Sequence, residues 1–133
     1  MKKKIMASLL ILVLTGCNQN KVLHNKDLEE SIYTVVENEK NSEITVAPLT
    51  DFKWDQAFLF HPYTPQEQME KQMGVEFEDR SNLRSRDDIY LLVFLHDGKA
   101  IQYAEMDRKQ CDFSIGSSEF LAPDMDLIEI NRD

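Results

Sequence analysis

Apolar residues recur along this chain with two alternating periods. From Asp27, Leu28, Ile32, Val35 and Val36 return at spacings of four, three and one, with Glu29, Glu30 and Glu37 between them. That spacing predicts an amphipathic helix of about three turns, acids near its N-terminus, ending around Asn38 to Asn41. Glu43 to Leu49 alternates instead, Ile44 and Val46 against Thr45 and Ala47, and predicts a strand stopped by Pro48. Trp54 to Phe60 is short, apolar and rich in aromatics, the composition of a strand. Pro62 and Pro65 then hold His61 and Thr64 out of the α region, so the chain turns a corner before a second helix starts. Thr64 as N-cap, Pro65 in the first turn and Glu67 three residues after Thr64 read as a capping box. Met69 and Met73 give that helix its buried face and Gly74 its stop.

Beyond Gly74, Glu78 to Asp88 carries charges of both signs and predicts a solvated loop. Ile89 to His96 is apolar on both faces and predicts a central strand covered on both sides. Asp97-Gly98 signals a two-residue type I′ turn, with a return strand from Lys99 to about Met106. A regular hairpin would pair His96 with Lys99, Phe94 with Ile101 and Leu92 with Tyr103. Cys111 to Ile115 and Leu127 to Ile130 predict two more short strands, with a loop over Gly116 to Pro123. Together these elements predict an α+β fold: a mainly antiparallel sheet of about four to six strands packed by two helices in two layers, one domain over residues 27–133.

The N-terminus follows a different logic. Lys2, Lys3 and Lys4 precede a ten-residue apolar stretch from Ile5 to Leu14, too short to span a bilayer and suited to the core of a signal peptide. It ends in Leu14-Thr15-Gly16-Cys17. This resembles the lipobox of bacterial lipoproteins, in which the cysteine thiol receives a diacylglyceryl group and signal peptidase II cuts just before it. The resemblance implies a signal peptide over residues 1–16, a lipidated Cys17 and, over residues 17–26, a polar tether. It also implies a membrane-anchored protein on the extracytoplasmic face of the cell membrane.

Charge narrows the partners. Of 15 basic residues three are leader lysines, so the remainder carries 12 bases against 24 acids, a net charge of about −12. Such a surface repels nucleic acid and anionic lipid, which leaves the lipid to provide attachment. With Cys17 acylated, Cys111 is the single remaining thiol, so no intramolecular disulfide can form and the core must carry stability. Cys111 reads as a small buried hydrophobe.

Catalytic chemistry finds no foothold. The chain lacks GxSxG, SxxK, P-loop and GxGxxG patterns and has only four glycines. Its three histidines, His24, His61 and His96, lack HxH or HxxxH spacing, so neither metal ligation nor a cofactor is expected. Asp87-Asp88 and Asp124-Met125-Asp126 lack the glycine and distal glutamate of an EF-hand loop. His61 and Tyr63, presented by the two-proline corner, are the candidates for a recognition surface, although the aromatic run Trp54, Phe58, Phe60 and Tyr63 reads first as core. The segment Trp54, Asp55, Phe58, Phe60, Pro62, Tyr63, Thr64 is similar to one in small Gram-positive lipoproteins, which implies location and fold and carries no catalytic residue. The expectation is a non-catalytic binding module for an envelope protein or a small ligand. The first alternative is an immunity or inhibitor protein that neutralises a cationic toxin or enzyme at the cell surface. The second is a hydrolase whose site would depend on His61 or His96.

Overall fold

The computed structural model describes residues 21–132. Leu14 to Cys17, the proposed lipid attachment and the first part of the tether lie outside the described residues. The elements in order are β1 (Leu23–His24), α1 (Lys26–Glu37), β2 (Glu43–Thr45), β3 (Gln56–Phe60), α2 (Gln66–Met73), β4 (Ile89–His96), β5 (Lys99–Asp107), β6 (Asp112–Ser114) and β7 (Leu127–Asn131). Single 3-10 turns lie at Ala47–Leu49 and Leu83–Ser85. Among the described residues no helix is long and apolar enough to cross a membrane.

The chain is an α+β fold with mainly antiparallel pairing, as its sequence predicts. Its strands divide between two sheets, one ordered β1-β5-β4-β3 and the other β2-β7-β6. Strand β4 explains why. Its even positions Tyr90, Leu92 and Phe94 and its odd positions Ile89, Leu91, Val93 and Leu95 are all buried, so both faces of the larger sheet need cover. The even face packs on α1 and the smaller sheet, through Leu28, Ile32, Val36, Ile44 and Ile128. The odd face packs on α2 and the segment after it, through Met69, Met73, Phe77 and Leu83. The layering is therefore richer than the two tiers expected.

Several local expectations change. The tether ends earlier than Lys26, because Leu23–His24 pairs in parallel with Gln102 and Tyr103 of β5. The chain is also clamped at Asn25, whose backbone N–H donates to the Tyr103 carbonyl. The strand expected from Glu43 to Leu49 stops at Thr45, and Val46 takes helical dihedrals into the Pro48 turn. No capping box forms on α2. The Thr64 hydroxyl instead donates to the His61 carbonyl at 2.7 Å, and the Pro65 carbonyl receives the first helical N–H groups. The 78–88 loop is not wholly solvated, since Leu83 is fully buried and the Asp79 carboxylate accepts the N–H groups of Ser81 and Leu83.

The hairpin turn has φ 51° at Asp97 and 75° at Gly98, the two positive values a type I′ turn needs. Its register, however, slips. A bulge opposite Phe94 and Leu95 leaves Ile101 without a partner, so Phe94 faces Gln102 and Val93 faces Tyr103. Without the bulge Tyr103 would share a face with Leu92; with it, Tyr103 joins the α2 side of the core. The 116–123 loop also gains a job: Leu121 exchanges two backbone hydrogen bonds with Ala57, covering the outer edge of β3.

Candidate functional site

A concavity of about 350 Å³ lies between α1, the end of β5 and the start of β6. Helix α1 forms one wall because its start is fixed twice over. The Asn25 side chain accepts the Leu28 N–H at 2.9 Å, an N-cap, and donates to Gln102 Oε1 at 2.7 Å, tying the cap to β5. One turn later Glu29 reaches over and accepts the Glu105 N–H at 2.7 Å. Leu28, Ile32 and Val36 then face the sheet at intervals of four.

The floor of the groove is Ile32, Val36, Met106 and Phe113, each nearly buried. Tyr33 stands beside them at 43 % exposure, a large aromatic surface open to solvent at the groove edge. The rim is acidic, with Glu29, Glu30, Glu105 and Asp107 around a single ammonium, Lys26. Three of these carboxylates have structural partners: Glu29 holds β5, Glu105 pairs with Arg86 at 3.3 Å, and Asp107 accepts the Lys109 N–H at 2.6 Å in the turn after β5. Arg86 also grips both oxygens of Asp88 at 2.9 Å, and these carboxylates raise its already high pKa. Among the described residues no cation pairs with Glu30 or Asp107.

Outside the groove lining, His24 lies over Tyr103, rings stacked with centroids 4.6 Å apart, and its Nε2 meets Oε2 of the rim residue Glu29. Burial first, then the Glu105 and Asp79 carboxylates, raise the Tyr103 pKa and keep the phenol neutral. His24, Glu29 and Glu105 bring three metal-type donors within 4.8 Å of one another. Asp55, His96 and Asp97 form a second such group at the hairpin turn, where Asp55 accepts the Asp97 N–H at 2.7 Å. Both sets also tie down backbone, Glu29 accepting the Glu105 N–H and Asp55 the Asp97 N–H. In each set one carboxylate is local in sequence, Glu29 five residues after His24 and Asp97 next to His96. The sequence pattern missed both sets because the third member, Glu105 or Asp55, is brought in by the fold.

The expected recognition residues separate. His61 is exposed, with its ring tilted against Tyr90 at 5.3 Å, and it lines a smaller polar cleft of about 180 Å³ with Thr64, Gln68, Gln72 and Glu119. Tyr63 is not core, unlike Trp54, Phe58 and Phe60: it is 59 % exposed, and it is not among the residues lining that cleft. Its φ is 72°, and its N–H is shared between the carbonyls of Leu83 and Arg86, which fix the corner against the 83–85 turn. A rigid exposed tyrosine suits an interface, but it does not share the cleft that His61 lines. Tyr33, Glu30 and Asp107 are the residues that sequence reasoning did not single out. The one local signal was Tyr33, an aromatic placed just off the stripe that packs on the sheet. No family model, curated protein or solved structure matches this chain, so its function is read from this geometry.

Proposed function

We propose that this protein is a lipid-anchored binding module on the outer face of the cell membrane, acting without catalysis and receiving its partner in the groove between α1 and β5–β6. The observation that carries the reading is the groove itself, an apolar floor with an aromatic wall and a rim of carboxylates. Recognition sites commonly combine those parts, and 350 Å³ lies near the lower end of their usual range of about 300–1,000 Å³. Attachment through Cys17 would hold the groove at the surface where an envelope partner or small ligand is met. The acidic rim favours a second reading within the same site, an immunity or inhibitor protein directed at a cationic toxin or enzyme.

A photo-crosslinking residue placed at Tyr33 on whole cells tests the proposal, with the same residue at Glu129 on the remote face of β7 as comparison. The expected result is a discrete adduct from Tyr33 alone, on protein whose intact mass shows acylation at Cys17. Equal labelling from both positions removes the groove as the recognition surface, and an unmodified Cys17 removes the anchor.

A further inference from the structure

We propose that the occupant of the groove is a free cationic amphipathic peptide, bound with one apolar side chain on the Ile32–Val36–Met106–Phe113 floor and flanking lysines or arginines against Glu30 and Asp107. This rests on the groove being the recognition surface proposed above and adds the chemistry of what enters it. Three features converge on this occupant.

The first is charge. Glu29 and Glu105 are tied to other elements of the fold, while Glu30 and Asp107 are exposed on the rim without a cationic side-chain partner among the described residues. Asp107 accepts the Lys109 backbone N–H two residues on, which leaves its charge uncompensated, and Lys26 is the cation lining the groove. An anionic or neutral ligand would leave these two carboxylates facing it uncompensated, whereas a cationic one gains from each. The overall acidity of the chain adds long-range attraction that speeds encounter.

The second is size. The α1 side of the groove runs from Lys26 to Val36, about 15 Å at the helical rise, enough for nearly three turns of helix or four to five residues of strand. With floor side chains so nearly buried, the cleft seats one apolar anchor against the Tyr33 ring rather than a whole hydrophobic face. An anchor flanked by charges matches a short peptide better than a purely apolar molecule.

The third is position. Nine peptide units separate Cys17 from Lys26 on the groove rim, a reach of at most about 30 Å. A lipid at Cys17 would therefore keep the groove within that distance of the bilayer, the interface where basic amphipathic peptides collect.

The test uses the full protein purified from membranes in non-ionic detergent, titrated into a labelled lysine–leucine peptide of about 12 residues and read by fluorescence anisotropy, with protein-free micelles as blank. Two further peptides carry glutamate for each lysine or serine for each leucine. The expected result is binding of the lysine–leucine peptide alone, weakened at least about tenfold by combined Glu30→Gln and Asp107→Asn, and by Tyr33→Ala. An equal charge change away from the groove, Asp124→Asn with Glu129→Gln, is expected to stay within about twofold of the native protein. Equal loss from both charge pairs overturns the proposal, because diffuse acidity then accounts for binding. So does equal binding of the serine peptide, which would remove any role for the floor. If no peptide binds while Tyr33 still crosslinks a partner on cells, the binding function stands and this occupant is wrong.

Discussion

Tyr63 holds a left-handed backbone, φ 72°, which costs a bulky residue about 1–2 kcal/mol relative to its ordinary regions. The fold imposes it: the Tyr63 N–H is taken by two carbonyls of the Leu83–Arg86 turn, while Pro62 and Pro65 restrict the residues on either side. With the side chain 59 % exposed, little packing offsets the strain. Glycine, which adopts this geometry freely but loses more backbone entropy, should therefore be neutral or stabilising by up to about 1 kcal/mol at this position. Denaturant midpoints of Tyr63→Gly against the native protein measure this. A clear destabilisation would mean the ring contributes to packing, and the strained corner would lose its interest as a recognition feature. The two prolines made the corner legible in the sequence. The sign of φ was not, because it follows from carbonyls some twenty residues further along the chain.

At the scale of elements, the junction between β1 and α1 decides whether the groove has a wall. Asn25 makes four hydrogen bonds there: its side chain caps the Leu28 N–H, its carbonyl accepts the Glu29 N–H, and two more go to β5. Asn25→Ala removes the cap and leaves Gln102 without its partner, with an expected cost of about 1–2 kcal/mol. Thermal or urea unfolding of the variant reads it. A cost near zero would mean that the side-chain cap and the Gln102 bond contribute nothing, and that backbone pairing of residues 23–25 alone holds α1 against β5. Sequence periodicity found both helices and, within a few residues, every strand except β1. It missed β1 because two residues carry no period, and the pairing depends on β5, nearly eighty positions away. Likewise the hairpin was legible from Asp97-Gly98 but its bulge was not. The slip is fixed by which face Tyr103 can fill, a property of the assembled core. The groove stayed hidden for the same reason, since its α1 half read as the flank of a packing helix and its β5–β6 half as a strand end and a turn.

At the scale of the whole molecule, the even-face cluster joins α1, the larger sheet and the smaller sheet in one continuous apolar body. Cys111 belongs to it, 7 % exposed at the entry to β6, and burial is the main cause raising its thiol pKa. That placement turns the single thiol of the described residues into a reporter of cooperativity. Strands β2 and β6 are only three residues long and pair with β7 alone in their sheet, so by hydrogen bonding they could open separately. Packing argues the other way: Ile44, Phe113, Ile128 and Ile130 of the smaller sheet are buried against the same residues that hold α1, and exposing them would uncover the floor of the groove. Labelling of Cys111 by a thiol reagent under native conditions should then be slow. Its opening free energy should equal that of global unfolding and should fall with urea at the global slope. Labelling much faster than global unfolding, with a shallow urea dependence, would show that the smaller sheet opens by itself. The groove would then be a surface that forms and dissolves, and the fixed geometry assigned to its occupant would have to give way to binding coupled with local folding.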